Sequence, residues 1–266
     1  MSNARTLLRG ATIAAALASL PAPACAGAWT LPAGDTQAIT GAILSNANAT
    51  FGSSGHATPV LFRKLLVGSY VEHGILDDVT LIFAPEYATA TEEGPNQPLI
   101  HVHDFALKAG VRVRLEDSFG VFSAEASFKT AGGFDMSVTT RNDSGKEAEL
   151  RLLYGTNFTV FHRGGYIDLE VAERYITGAR PSETPIDLTV GLKITKSITL
   201  MAQSFNIIAD GEGKPPYRYY RSHKLEFGVL QRLWNGVYLQ SGGFISPFGQ
   251  NALVEHGADA SLWVQF

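Results

Sequence analysis

Charged residues recur at every second or fourth position along several stretches of this chain, and whatever chemistry it performs starts with them. Asp104, Lys108, Arg112 and Arg114 share one parity, while Phe105, Leu107, Ala109, Val111, Val113 and Leu115 take the other. A period of two puts alternate side chains on opposite faces of a strand. The same reading assigns a polar face to Glu72, Glu125, Lys129, Glu149, Arg151, Asp168, Glu170, Arg174, Asp187, Lys193, Lys224, Glu226, Glu255 and Asp259. With the first four these make ten acids and eight bases. Acids and bases on adjacent strands can pair, which offsets the desolvation cost of several kcal/mol that each buried ion carries. Two roles suit such a face. The residues prop a narrow, water-containing interior, or they line a path for a small polar or amphipathic solute. A large anion-selective pore would need one sign to dominate, and neither sign does.

Other chemistry is weaker. His101 and His103 flank Val102 and share a face, but a metal site needs further ligands, and no metal or other cofactor is expected. A lipid-modifying enzyme would need a serine or histidine with an orienting acid at the lipid boundary. His223 and His256 fall in strand-like stretches, and no Ser-His-Asp spacing can be read around them, so the chain is not read as an enzyme. The pairs Gly132-Gly133 and Gly242-Gly243 suit turns and bends. No glycine-rich spot follows a strand and opens a helix, as a phosphate cradle requires.

Twelve alternating stretches hold these residues: 36–51, 59–73, 79–90, 100–115, 121–131, 146–160, 165–177, 183–195, 198–209, 219–233, 237–248 and 252–266. The connectors 52–58, 91–99 and 132–145 are long, and the intervening 74–78, 116–120 and 161–164 are tight. Alternation of long and short connectors, with an even strand count, is what an outer-membrane barrel with both ends in the periplasm requires. The connector near Gly249–Asn251 is short and departs from the pattern. In hydrocarbon every backbone N–H and C=O must be paired within the protein, and twelve strands achieve this only by closing. The expected fold is therefore a closed, antiparallel, up-and-down transmembrane β-barrel of about twelve strands. Its polar face becomes the lumen and its apolar face meets outer-membrane lipid. Two aromatic belts are expected: Phe119, Phe122, Phe158, Trp234 and Phe266 near the short turns, and Phe51, Phe62, Tyr87, Phe128, Tyr175, Tyr219 and Phe248 near the long loops.

The two chain ends carry their own signals. Arg5 and Arg9, the apolar run from Ala11 to Leu20 and Ala24-Cys25-Ala26 read as an export signal, residues 1–26, cleaved after Ala26. Its removal takes the single cysteine and leaves 19 basic and 25 acidic residues, 19 minus 25 or −6, in a single domain over 27–266. That balance argues against nucleic acid as a partner. No later run of eighteen apolar residues offers a transmembrane helix. In the last strand Leu262, Val264 and Phe266 share the apolar face, with Trp263 as the one large apolar residue on the polar face. An aromatic C-terminal strand of this kind is the expected membrane-insertion signal, read by a barrel-assembly machinery. A monomer is the simplest assembly, with a small-molecule solute of unknown identity as its cargo.

Gly27-Ala28-Trp29-Thr30-Leu31-Pro32, the stretch from Tyr70 to Leu81 and the C-terminal strand together resemble proteobacterial outer-membrane barrels grouped with the phenol-degradation meta-pathway family. In that family a glutamate-aromatic-glycine step precedes a Leu-Thr-Asp turn. Here His73 stands for the aromatic residue and Asp77 for the threonine. The resemblance implies a barrel and an outer-membrane transport role. A non-conducting structural or secretion-associated barrel is the alternative, and a lipid-modifying enzyme the third.

Overall fold

The structure, a computed structural model, describes residues 27–54, 56–93, 99–130, 145–215 and 217–266. The expected export signal, with Cys25, lies outside the described residues, as do Gly132-Gly133 and most of their connector.

Twelve strands form: β1 Thr36–Phe51, β2 Ala57–Leu76, β3 Val79–Glu93, β4 Ile100–Glu116, β5 Val121–Lys129, β6 Glu147–Val160, β7 Arg163–Ile176, β8 Glu183–Lys193, β9 Ile198–Ala209, β10 Arg221–Trp234, β11 Val237–Gln250 and β12 Ala252–Gln265. Each pairs with its chain neighbours, and β12 pairs antiparallel with β1 to close the barrel. At the seam the Thr36 amide donates to the Phe266 carbonyl at 2.7 Å, and the Phe266 amide donates back at 3.0 Å. Both ends of the sheet therefore lie at the mouth that carries the tight turns, the periplasmic mouth in this architecture. Phe161 and His162 link β6 to β7 there, with φ of 48° and 61°, the left-handed pair that a two-residue hairpin turn requires. At the opposite mouth a single residue, Asn251 at φ 48°, joins β11 to β12. Asparagine tolerates this region better than most side chains, and its Nδ2 donates to the Tyr219 carbonyl at 2.7 Å.

The burial pattern is the inverse of a soluble sheet. Leu44, Phe83, Phe105, Leu150, Leu152, Phe227 and Ile245 all point outward and are 49–64% exposed, while Glu72, Arg112, Glu125 and Glu255 are buried. A bare apolar band of this extent belongs against lipid. Phe119, Trp234 and Phe266 are exposed near the periplasmic mouth, and Tyr87, Phe128, Tyr175 and Phe248 near the other. Leu262 and Phe266 lie open on the outer face, with the half-buried Val264 between them on the same parity.

Phe62 departs from the expected belts. It occupies an inward position on β2 and is 2% exposed, packed with Ala47, Ala90 and Leu253 inside the barrel. Its parity with Lys64 and Glu72 decides this, and strand-end position alone did not reveal it. Trp263 is the periplasmic counterpart. It points inward as its parity requires and packs on Met201 and Leu230, with Ile39 and Tyr238 against them. The lumen thus holds an apolar layer near each mouth. Trp263→Ala should open a cavity in the lower layer and cost about 3–5 kcal/mol of stability. Urea unfolding of the refolded protein in micelles measures this, and an unchanged midpoint would remove Trp263 from any structural layer.

Candidate functional site

The register places all eighteen charged residues of the expected polar face on inward positions, but their environments differ around the wall. From β2 to β8 they form a continuous ion-pair ladder. Arg112, 2% exposed, lies between Glu72 at 2.7 Å and Glu125 at 2.9 Å. Lys108 joins Glu125 at 3.1 Å to Glu149 at 3.5 Å. Arg174 carries the chain from Glu149 at 2.8 Å to Glu183 at 2.9 Å. Arg151 contacts Glu149 at 3.0 Å, Asp187 at 2.9 Å and also Glu170. Lys129 meets Glu86 at 2.6 Å. Near the outer mouth Arg180 folds in from the β7–β8 connector to Glu183 at 2.7 Å, and the buried Tyr220 hydroxyl donates to the same carboxylate. Arg114 and Asp78 pair at the opposite rim, where Lys193 is exposed. Asp104 accepts from the neighbouring Phe105 amide at 2.7 Å.

A second element reaches into this ladder. Residues 27–35 precede β1 and fold inward through the periplasmic mouth. The Ala28 amide donates to Asp168 Oδ1 at 2.8 Å, and its carbonyl accepts from Ser123 Oγ at 2.5 Å. The Trp29 carbonyl caps the Arg112 guanidinium at 3.2 Å. The Leu31 amide donates to Thr80 Oγ1 at 2.9 Å, and the Ala33 amide to Asp77 Oδ1 at 3.0 Å. The Trp29 indole meets Tyr166 edge-on, centroids 6.2 Å apart. It lies over Gly155, where a Cβ would come within 2.6 Å of the ring. Every one of these partners belongs to β3–β7 or the turn before β3. The segment is therefore a plug tied to the charged wall. The sequence signal for it was only the aromatic and proline between Gly27 and Pro32, which alternation does not interpret.

The opposite wall is left open. A cavity of about 560 Å³ runs along β8–β12 and β1–β3. Lys224 and Glu255 pair there at 3.1 Å, and Ser45 Oγ donates to Glu255 at 2.6 Å. Glu226 and Asp259 also face this space, and neither has an ion-pair partner among the described residues. Phe205, Ile207, Phe244, Ile43 and Leu66 supply apolar lining.

The histidines lie elsewhere. The parity of β4 turns His101 and His103 outward and Asp104 inward, and His101 Nδ1 sits 3.3 Å from Thr91 Oγ1. His223 also faces outward, 2.7 Å from Asn206 Oδ1, with its ring centroid 4.4 Å from that of Phe248. No group of three metal-ligating side chains occurs among the described residues.

No protein-family model and no curated protein matches the chain. Among solved structures it is similar to an outer-membrane channel from Pseudomonas putida F1, at 11% identity and TM-score 0.68, over 90% of this chain and 97% of that one. The translocator domain of the autotransporter NalP from Neisseria meningitidis is similar at 11% identity and TM-score 0.56, over 89% and 90% of the two chains. The β domain of a Bordetella autotransporter is similar at 14% identity and TM-score 0.57, over 88% and 100%. These likenesses show the fold. Together with the bare apolar band, the fold locates the chain in the bacterial outer membrane.

Removing one partner of a buried ion pair costs about 3–5 kcal/mol, because the other charge is stranded. Arg112→Met should lower stability to denaturant by that amount, since it strands Glu72 and Glu125. Adding Glu72→Gln and Glu125→Gln should restore most of the loss. If the triple variant is no more stable than the single one, the ladder is not what holds these strands.

Proposed function

We propose that the chain passes or binds a small polar or amphipathic solute in the outer membrane. The observation that carries this reading is the lumenal cavity of about 560 Å³. That size falls within the ~300–1,000 Å³ of ordinary small-molecule sites. Its lining combines apolar side chains such as Phe205, Ile207 and Phe244 with eight charged residues of both signs, which suits an amphipathic solute better than a bulk ion stream. The solved channel from Pseudomonas putida F1, and the resemblance of the sequence to the meta-pathway family, support the same reading. On it, the inward charges of the β2–β8 ladder position the plug and shape the path, and no catalytic chemistry is assigned to them. Residues 1–26 are an export signal, and a barrel-assembly machinery reads Leu262, Val264 and Phe266. The folded protein is a monomer in contact with outer-membrane lipid.

The plug favours a second reading. Its hydrogen bonds to Asp168, Ser123 and Arg112 hold it across the periplasmic mouth, as a non-conducting structural or secretion-associated barrel would require. Recording from planar bilayers separates the two. Wild-type protein should show small conductance steps, and deletion of residues 27–33 should enlarge them several-fold. Asp168→Asn should give an intermediate, noisier trace, because one anchor is weakened. Equal steps in all three proteins would take the plug out of the path. Silence from all three, together with no swelling of loaded vesicles, would favour the non-conducting barrel. Incubation with labelled lipid tests the enzyme reading, for which no turnover is expected.

A further inference from the structure

We propose that the lumenal cavity selects organic cations with an apolar body, such as arylalkyl ammonium ions, and that Glu226 and Asp259 are the groups that recognise them. This deepens the solute reading above and rests on it. Three observations meet at one place. First, Glu226 is only 9% exposed and faces the cavity, with no ion pair or hydrogen bond holding it among the described residues. Its neighbours on the ladder wall, by contrast, are all engaged. Second, Asp259 Oδ1 is buried without a hydrogen-bond partner. Its carboxylate lies against Gly242, where a Cβ would stand 2.6 Å from that oxygen. Gly242 on β11 pairs with Asp259 on one side and with Gly228 on the other. The wall between Asp259 and β10, two residues from Glu226, therefore carries no side chain. Third, Phe244 and Phe205 lie beside these acids. Phe244 already accepts a cation on its face, with Lys224 Nζ 4.5 Å from the ring centroid.

A buried carboxylate without a partner is costly, and its cost is relieved by a cation that brings its own charge. Two such groups beside aromatic rings complement an ammonium head on an apolar stem, through charge-assisted hydrogen bonds and cation–π contact. A carboxylate ligand would add a third negative charge to the same space. The cations of the lining do not remove the preference, because Lys224 is held by Glu255, Arg174 by Glu149 and Glu183, and Lys64 is likewise engaged.

Phenethylammonium, phenethyl alcohol and 3-phenylpropanoate make a matched cationic, neutral and anionic series. Calorimetric titration of each into the refolded protein in uncharged detergent should give binding in the order cation, alcohol, anion. Glu226→Gln and Asp259→Asn should each weaken the ammonium by about tenfold, and leave the alcohol within about twofold. Each substitution removes a carboxylate that no ion pair holds among the described residues, so the variants should fold at least as stably as wild type. Equal binding of cation and alcohol, or full ammonium affinity in the double variant, would overturn the inference while leaving solute binding intact. If none of the three binds and wild-type vesicles also fail to swell, the inference and the solute reading fall together.

Discussion

Closure of the backbone is the constraint from which the rest of this structure follows. A strand edge left open in hydrocarbon would expose a row of unpaired amides and carbonyls, each costing several kcal/mol. The β1–β12 seam removes that edge, running from Thr36 and Phe266 to Phe51 and Ala252. Once the sheet is closed, each strand has only an inside and an outside. The alternation of the sequence then decides the solvent of every side chain. Leu44, Phe105 and Phe227 go to lipid because their parity puts them there. Glu72, Arg112 and Glu125 go to the interior for the same reason, and must then neutralise each other. Fold and lumenal electrostatics are thus one choice made twice along each strand.

The interior meets this demand unevenly. From β2 to β8, acids and bases alternate between neighbours, so Glu72, Arg112, Glu125, Lys108, Glu149, Arg174 and Glu183 form one chain of contacts. A ladder of this kind adds little net stability over an apolar core of equal volume, but losing a single rung is expensive. Its contribution is definition. It holds β3–β7 at fixed spacing and presents Asp168, Ser123 and the Arg112 guanidinium to the plug. From β9 to β12 the inward face mixes apolar with polar side chains, and of its charged residues Lys224 and Glu255 pair while Glu226 and Asp259 face the cavity. Gly41 and Gly68, which line the open volume from β1 and β2, project nothing into it.

Much of this was legible in the sequence, and the reasons are local. A period of two survives in a single strand, so β4 and β8 could be read directly, and boundaries such as Thr36–Phe51 and Ile198–Ala209 coincide with expectation. Connector lengths carried the topology. Parity also assigned the inward positions of the charged residues. What parity could not give was who meets whom across the lumen. The roles of Trp263 and Phe62 depend on side chains from strands far apart in the chain, such as Met201 and Leu230 for one and Leu253 for the other. Phe62 was placed by its nearness to a strand end, a weaker rule than its own parity. Residues 27–35 have no alternation at all, since an irregular segment is fixed by individual hydrogen bonds and by the room that Gly155 leaves for Trp29.

The plug and the cavity divide the lumen between them, and this division has a mechanical consequence. The plug's side-chain-mediated hydrogen bonds go to β3, β4, β5, β7 and the turn before β3, and Gly34 and Asp35 at its end pair with Gly74 of β2, whereas the open volume lies mainly along β8–β12 and β1–β3. On the proposed solute reading, a molecule arriving from the outer mouth can occupy this wall without breaking the plug's bonds to Asp168, Ser123 or Arg112. Passage onward to the periplasm is different, because on this reading the solute must also pass the layer of Trp263, Met201 and Leu230 that packs inside the same mouth. The two obstructions are held by unlike forces. Polar contacts tie the plug, and they can be exchanged for water at small net cost. The layer is held by burial, which a solute's own apolar surface can replace as it passes. An amphipathic molecule is suited to both exchanges, and a bare ion only to the first.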